Sequence, residues 1–313
     1  MSDSTPYPRI SIITPCLNRA GFVAEAVESV LAQDYPDVEH IIMDGGSTDG
    51  TLEALSDYPH LTVVSEPDDG LYDAVNKGIA RASGEVIGLL NTDDRYAPAA
   101  FDWVARAFAG HPAADLVSGG AEVYGMRDGA ERRLARYSGV REVALSWPVL
   151  TYGTPVINAR FFRRALLERV GMFDLRLAIS ADREFLFRMR IAEAREVCIE
   201  PVLYHYRQHP GSLSITREGG AIMAKLREHL ILAGRYRQEA PEALRPMFRR
   251  WHAYEAFQGV LEGVWCGDLK SALGFLREGI SSGYHWPEAA VGVLYDRIVR
   301  RLGGASGVSG ETR

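Results

Sequence analysis

The sequence predicts an α/β fold in which a mostly parallel central sheet is flanked by helices and followed by a helical extension. Over the first hundred residues, short apolar runs alternate with segments of helical periodicity, which is the pattern of a parallel sheet covered by helices. Beyond Gly219 the β-type runs stop and helical stretches continue to Leu302. At 313 residues, the chain has room for one large α/β domain and a smaller appendage.

Four runs rich in Ile, Val and Leu are predicted as strands buried on both faces, and they cover residues 10–13, 38–43, 61–64 and 85–90. Helical spacing or length predicts helices in the links between them, over 22–31, 48–55 and 71–82. A helix and a strand are expected within 99–120, a hairpin or loop up to Gly139, a helix after Ser180, and a strand over 202–206. We expect a first domain over residues 1–217, a helical region over 218–302, and a small, polar, disordered tail over 303–313.

Composition excludes several classes of function. The formal net charge is −6 and 47% of residues are hydrophobic, so nucleic acid is not the expected partner. Cys16, Cys198 and Cys266 form no CxxC pair, which predicts reduced core residues rather than a disulfide framework or a thiolate metal site. The N-terminus carries an acid where a signal peptide needs a base, and no apolar run is long enough to span a bilayer. We therefore expect a cytoplasmic protein.

Polar residues follow the first two predicted strands, at the edge where open α/β sheets bind ligands. Pro15 and Asn18 follow the first strand, and the second ends in MDGGSTDGT, with Asp44 at its close. A turn followed by a helix cap explains the two glycines and Thr48. It does not explain an aspartate at the end of a hydrophobic strand.

The fourth strand leads into NTDD, which brings Asn91, Asp93 and Asp94 to the same edge. Adjacent carboxylates repel each other when partly buried unless a cation offsets the repulsion. Mg²⁺ and Mn²⁺ are held by one or two carboxylates together with diphosphate oxygens. A solvated turn is the alternative when the motif is considered alone.

Two later segments also carry candidate groups. In SADREFLFRM, Asp182 and Glu184 lie in the first turn of a predicted helix, where the helix dipole by itself favours acids. In YHYRQHPGSLS, His205, Arg207 and His209 alternate and would share one face of a continuing strand.

A third segment, LRPMFRRWHAYEAF, contains Arg245, Arg249, Arg250 and Trp251. These residues could form a basic aromatic patch against anionic lipid headgroups. Packing of an amphipathic helix on the first domain or on a second subunit is the alternative.

The order of these motifs resembles the family 2 glycosyltransferases, whose catalytic domain has the GT-A nucleotide-diphospho-sugar transferase fold. The matching segments are ISIITPCLNRAGFVAEAVESVLAQDYPDVEHIIMDGGSTDGT, SEPDDGLYDAVNKGIARASGEVIGLLNTDD and GMFDLRLAISADREFLFRM. Together they span about two thirds of the chain in the family's order. The resemblance implies the GT-A fold with a C-terminal helical extension.

The resemblance also implies roles for individual residues. Asp182 would be the catalytic base, with Glu184 as the fallback. Asn91 stands where the family commonly has an aspartate and would contact the ribose, while Asp44 would bind the base, usually uracil. The implied nucleotide contacts are Pro15, Asn18, Asp44, Asp69, Asn76, Asn91 and Thr92, and the implied metal ligands are Asp93, Asp94 and His209. A helix cap is the alternative explanation of Asp69. Further candidates for the diphosphate or the acceptor are Arg207, His205, Glu184, Trp147, Tyr152 and Asn158.

The function implied by the resemblance is inverting transfer of a sugar from a nucleotide-diphospho-sugar, a UDP-hexose or UDP-N-acetylhexosamine, to a hydroxyl of a glycan or lipid-linked acceptor in bacterial surface polysaccharide assembly. Mn²⁺ or Mg²⁺ is the expected cofactor. A noncatalytic sugar-nucleotide binding subunit and a nucleotidyltransferase on a related sheet are the alternatives. Peripheral association with the inner face of the membrane and a homodimer are left open.

Overall fold

The computed structural model describes residues 7–209, 219–283 and 288–295. The chain divides into two compact units, Met1–Ile215 and Thr216–Arg313. The predicted boundary near Arg217 and the predicted tail over 303–313 lie outside the described residues. The predicted domain limits therefore stay a prediction.

The first half of unit 1 is a parallel sheet. Its strands run side by side in the order β3, β2, β1, β4, with the bounds β1 Ile10–Cys16, β2 Val38–Asp44, β3 Thr62–Ser65 and β4 Val86–Leu89. Three of them are buried over most or all of their length, as predicted. β3 differs, because it is the edge strand and has neighbours on one side only.

The second half adds strands of mixed direction. Their bounds are β5 Arg95–Tyr96, β6 Leu116–Arg127, β7 Ala130–Tyr137, β8 Arg160–Arg163 and β9 Glu196–Gln208. Within the described residues, nine strands form one sheet in the order β3-β2-β1-β4-β8-β6-β9-β5, with β7 beside β6. β6 and β7 are the hairpin predicted before Gly139, and its turn holds Asp128 and Gly129 at positive φ.

Helices cover this sheet, with the bounds α1 Val23–Leu31, α2 Thr51–Ser56, α3 Leu71–Arg81, α4 Ala100–Gly110, α5 Val140–Val143, α6 Trp147–Tyr152, α7 Arg164–Val170 and α8 Ala181–Ile191. α3 packs closely on β1, since a Cβ at Gly78 would lie 2.4 Å from Ile13 Cγ2. A main core forms around Phe101 and Phe161, both fully buried. The predicted α/β fold with helices on its central sheet is confirmed, and β5, β7 and β8 make the sheet mixed by running antiparallel to their neighbours.

Unit 2 is helical over its described residues, with the bounds α9 Gly219–Glu239, α10 Arg245–Trp265 and α11 Leu269–Ser281. Trp251 is fully buried and donates a hydrogen bond to Glu255 at 2.8 Å. It therefore packs inside unit 2 and cannot contribute an aromatic ring to a surface patch, whereas Arg249 and Arg250 are exposed. No described helix has the length and apolar character to cross a membrane.

The three cysteines are free, but only one is fully buried. Cys16 lies in the core, and burial, followed by the nearby Asp44 charge, raises the pKa of its thiol to about 12. Cys198 is half-buried, whereas Cys266 is exposed. The prediction that all three are core residues is thus wrong for Cys266, which follows the last turn of α10.

A buried histidine in the sheet makes the stability of unit 1 depend on pH. His40 is buried beside Thr14 Oγ1, at 2.9 Å, and burial lowers the pKa of its imidazole from 6.5 to about 3. Between these values the unfolded chain binds a proton that the folded chain does not, so stability is lost as pH falls from 6.5 towards 3. We expect this loss to be about 1.4 kcal/mol per pH unit.

Urea unfolding at pH 7 and pH 5 measures this dependence. His40→Gln should reduce the difference between the two pH values, while His111→Gln, at an exposed position, should leave it as in the wild type. Equal pH dependence in all three proteins would show that His40 does not cause it.

Candidate active site

The site begins where β2 ends. Asp44 is 1% exposed, and its Oδ2 accepts hydrogen bonds from Gly46 N, Ser47 N and Ser65 Oγ. Burial alone would raise the pKa of Asp44, but these hydrogen bonds outweigh it and hold the pKa below its ordinary value. The second carboxylate oxygen, Oδ1, is buried and has no hydrogen-bond partner among the described residues. A buried acceptor of this kind is costly unless a ligand supplies a donor.

The loop after β1 is tied to the loop after β2. Asn18 has a positive φ of 53°, and its side-chain Oδ1 accepts a hydrogen bond from Thr48 N at 2.9 Å. The backbone N–H of Asn18 donates to Ser47 Oγ at 2.7 Å. Pro15 lies opposite Met43 in the parallel register and is buried. The structure thus brings three predicted nucleotide contacts, Pro15, Asn18 and Asp44, to one edge of the sheet.

The NTDD segment follows β4 and rests on a buried tyrosine. Tyr204 of β9 is fully buried, and its hydroxyl donates to Asp94 Oδ2 at 2.6 Å. The same hydroxyl accepts hydrogen bonds from Asn91 N and from Asn158 Nδ2. Asp94 also accepts from Asn91 Nδ2 at 3.0 Å and from Arg207 N at 2.7 Å. Both oxygens of Asp94 therefore already have donors.

These contacts separate the two aspartates of the motif. Burial, and then repulsion from Asp93, raise the pKa of Asp94 to about 7. Asp94 is 1% exposed, whereas the Asp93 side chain is 16% exposed. The geometry favours a supporting role for Asp94 beneath the loop, in place of the predicted role as a metal ligand. Thr92, directly before Asp93, is buried as well.

Asp93 meets His209, which lies 116 residues further along the chain. His209 Nε2 is 2.8 Å from Asp93 Oδ2, and the imidazole stacks on Phe22 with ring centroids 5.1 Å apart. The sequence offered both residues as metal ligands, and the structure brings them together.

Asp93 and His209 carry the carboxylate and imidazole groups that a divalent cation accepts as ligands. The two side chains are close enough to hold one ion together, since His209 Nε2 and Asp93 Oδ2 are 2.8 Å apart. No group of three or more His, Cys, Asp or Glu side chains suited to a metal occurs in the described part of the chain. Among the described residues, the Asp93–His209 pair would hold such an ion.

Two other candidates from β9 have different surroundings. The Arg207 guanidinium is ion-paired with Glu25 of α1 and lies over the Phe22 ring, 5.8 Å from its centroid. His205 packs against Tyr124, and burial, followed by the Arg95 charge, lowers the pKa of its imidazole. Arg207 thus lies near the Asp93–His209 pair through Phe22, while His205 contacts Tyr124 of β6 and lies opposite Arg95 of β5.

A second group of candidates surrounds the start of α8. Asp182 is half-buried in the first turn, and its Oδ1 accepts from Arg183 N at 2.6 Å. Glu184 is 3% exposed, and both of its oxygens accept from Arg188 Nε. Arg188 also donates to the carbonyls of Val170 and Met172. Glu184 therefore secures the segment before α8, whereas Asp182 keeps partial access to solvent.

α3 holds the same segment from the other side. Asn76 accepts from Phe173 N at 2.9 Å and donates to Phe173 O at 3.0 Å. Tyr72 stacks on Phe173 and donates to Ile179 O at 3.3 Å. Asn76, predicted as a nucleotide contact, thus uses its amide to position the approach to α8. Asp69 is exposed at the start of α3, with its amide bonded to Asp73.

The candidates for acceptor contact lie on and after α6. Arg183 of α8 donates to the carbonyls of Leu150, Thr151 and Gly153, which ties the end of α6 to the helix that carries Asp182. Trp147 packs on Phe187 of α8, with ring centroids 5.7 Å apart, and Tyr152 is half-buried at the end of α6. Asn158 is buried against Tyr204 instead.

Sequence reasoning missed the residues that support the site: Tyr204, Glu25, Phe22 and Arg183. Tyr204 sits in a strand that was predicted correctly, but only its pairing shows that it lies under NTDD. Glu25 lies on the helix after the first strand. Its charge, close to the predicted ligand-binding edge, is the feature of the sequence that could have identified it.

Solved structures share this fold. The mannosyltransferase PcManGT from Pyrobaculum calidifontis, in complex with GDP-Man and Mn²⁺, aligns with a TM-score of 0.58 at 21% identity, covering 94% of this chain and 81% of that one. TarS 1-349 of S. aureus, in complex with UDP-GlcNAc, aligns with a TM-score of 0.57 at 15% identity, covering 88% and 93%. Against the longer TarS chain, the match covers 55% of its length.

Relatives identified by sequence similarity are also named as glycosyltransferases. An uncharacterized glycosyltransferase of Mycobacterium tuberculosis, Rv1514c, is 34% identical over 238 residues, which cover 74% of this chain and 87% of that protein. A PGL/p-HBAD biosynthesis glycosyltransferase of Mycobacterium bovis is 32% identical over 191 residues, covering 58% and 69%. The model of glycosyl transferase family 2 matches residues 11–171, which contain the β1, β2 and NTDD segments of the site. The chain therefore belongs to glycosyl transferase family 2.

Proposed function

We propose that this glycosyltransferase takes a sugar from a UDP-sugar and transfers it, with inversion, to a hydroxyl of a glycan or lipid-linked acceptor. The observation that carries the donor assignment is the buried, unpaired Oδ1 of Asp44. Uracil offers an N–H donor that would satisfy this acceptor. TarS, which shares the fold, is solved with UDP-GlcNAc, which supports a uridine donor.

Asp93 and His209 would hold Mn²⁺ or Mg²⁺ together with the donor diphosphate. When bound, such an ion neutralises charge that develops on the departing diphosphate. Phe22 packs against the His209 ring and fixes its orientation. Asp94, held by Tyr204, keeps the loop that presents Asp93 in place. The Mn²⁺ complex of PcManGT supports this cofactor assignment.

Asp182 would accept the proton of the acceptor hydroxyl as that oxygen attacks the anomeric carbon. A carboxylate can serve as this base only if it is reachable by the acceptor, and Asp182 is half-buried while Glu184 is buried on Arg188. The bond from the anomeric carbon to the diphosphate breaks as the new bond forms, so a single displacement inverts the configuration. The acceptor would approach over Trp147 and Tyr152, since Arg183 fastens their helix to α8.

Bacterial surface polysaccharide or lipid-linked glycan assembly is the proposed setting. The relative named as a PGL/p-HBAD biosynthesis glycosyltransferase supports a biosynthetic role.

Calorimetric titration with UDP and Mn²⁺ tests the donor site directly. In Asp44→Asn the amide oxygen must take the place of Oδ2, which accepts three hydrogen bonds. The NH₂ group then faces the ligand and cannot accept a hydrogen bond from uracil. We expect UDP to bind about 10- to 100-fold more weakly than to the wild type.

Asp37→Asn is the matched control, because Asp37 precedes the other end of β2 and is exposed. It should bind UDP as the wild type does. Unchanged UDP affinity in Asp44→Asn would remove Asp44 from the nucleotide pocket, and wild-type binding of GDP in place of UDP would show that the base assignment is wrong.

A further inference from the structure

α11 in unit 2 presents two apolar faces. The inner face, Ala272, Phe275 and Gly279, is buried. It packs on α10 at close range, since a Cβ on Gly259 would lie 2.2 Å from Phe275 and one on Gly263 would lie 2.9 Å from Ala272 Cβ. α11 therefore packs on α10 through this inner face.

The outer face is an apolar stripe, defined here as Leu269, Leu273, Leu276 and Ile280. These residues recur at spacings of four, three and four, so they lie on one side of the helix. Leu269 and Ile280 are each 63% exposed and Leu273 is 56% exposed, while Leu276 is half-buried. Trp265, the last residue of α10, is 79% exposed. A row of large, exposed apolar side chains is unusual on a surface that meets only water.

Cations border this stripe. Lys270 precedes Leu273 by three positions, and Arg277 lies four positions after Leu273, so both neighbour the stripe on the helix surface. Both are exposed. The acid closest to them on α11, Glu278, points to the opposite side, where its carboxylate is 3.8 Å from His252 Nε2.

A cationic pocket lies at the end of the same helix. Its volume is about 330 Å³, and it is lined by Arg237, Gln238, Arg249, Ser281, Ser282 and Gly283. Gly283 and Ser282 directly follow Ser281, the last residue of α11. In the described part of the structure, neither Arg237 nor Arg249 has an ion pair or hydrogen bond, and the pocket has no carboxylate in its lining. Two unpaired guanidinium groups favour a phosphate group as the occupant.

We propose that unit 2 docks on an anionic lipid bilayer through the stripe, with Arg237 and Arg249 receiving a lipid headgroup phosphate. Apolar side chains with flanking lysine and arginine, and an aromatic residue at the edge, are the features of helices that lie in the membrane interface. A second copy of this chain fits less well, because a symmetric contact through the same stripe would bring Lys270 and Arg277 of both copies together.

Vesicle co-sedimentation of the full chain, without donor, tests the proposal independently of the transferase assignment. The wild type should bind vesicles of equal parts phosphatidylglycerol and phosphatidylcholine, and bind pure phosphatidylcholine far more weakly. Leu269→Ser with Leu273→Ser should lower binding to the anionic vesicles by about tenfold or more. Arg237→Gln with Arg249→Gln should lower it about 25-fold, since each cation near an anionic surface contributes about fivefold.

Leu175→Ser is the matched control, an equally exposed leucine in unit 1, and it should bind as the wild type does. Circular dichroism and the midpoint of urea unfolding establish that each variant is folded. Absence of wild-type binding to anionic vesicles, or binding unchanged in both double variants, overturns the proposal. So does a wild-type dimer, seen by light scattering, that the leucine substitutions convert to a monomer without any vesicle binding.

Discussion

Asp182→Asn is expected to lower the rate of sugar transfer about 10²- to 10⁴-fold while leaving UDP binding unchanged. The amide cannot accept the proton of the acceptor hydroxyl, and a positioned base contributes a factor of this size. Asp182 lies in the first turn of α8 and the donor contacts lie on other elements, so nucleotide affinity should not depend on it. The measurement is the turnover rate with saturating donor, together with calorimetric titration of UDP.

The control separates catalysis from helix stabilisation. Asp102 occupies the first turn of α4 and, like Asp182, is half-buried. If the carboxylate at position 182 serves only to complement a helix dipole, Asp182→Asn and Asp102→Asn should each cost less than about 1 kcal/mol of stability. In that case both variants would keep their activity, and the proposed base would be wrong.

The second large effect is expected at the Asp93–His209 pair. Asp93→Asn should lower transfer about 10²- to 10³-fold, because charge developing on the diphosphate loses its stabilisation. The Mn²⁺ concentration needed for half-maximal activity should rise in the same variant. Titration of activity against Mn²⁺ at saturating donor measures both quantities.

His209→Asn tests whether the two side chains act as one unit. Side chains that bind one cation together give non-additive effects when both are changed. The double variant, Asp93→Asn with His209→Asn, should therefore transfer sugar little more slowly than Asp93→Asn alone. Losses that multiply in the double variant, with an unchanged Mn²⁺ requirement in each single variant, would show that Asp93 and His209 do not share a cation. Their contact at 2.8 Å would then be an ion pair within the loop.

Much of the parallel half of the fold could be predicted from the sequence, since it depends on local patterns. The strand periods, the alternation with helices and the polar residue after each strand are all visible in a few neighbouring residues. This is why Asp44 and Asp93 could be placed at one edge before the structure was known. The half of the sheet with mixed strand directions was harder to predict, because antiparallel β8 is short and only part of β9 was predicted.

The different surroundings of Asp93 and Asp94 within NTDD could not be predicted from the sequence. Asp93 and Asp94 are chemically identical neighbours, and Tyr204, 110 residues away from Asp94, decides which of them is buried. In the same way, Asn76 is hydrogen-bonded to Phe173, which lies 97 positions further along the chain. Trp251 is buried among the helices of unit 2, and the sequence predicts the order of these helices but not how they pack.

The sequence by itself determined the α/β class, the family resemblance, and the set of polar residues at the strand ends. Each of these depends on the spacing of residues that are close together in the chain. The tertiary structure decided which members of this set are buried, which remain accessible, and which side of α11 is exposed. The physical reason is that burial and hydrogen-bond pairing depend on contacts between segments far apart in the chain, and these contacts set the solvation and the charge state of each side chain.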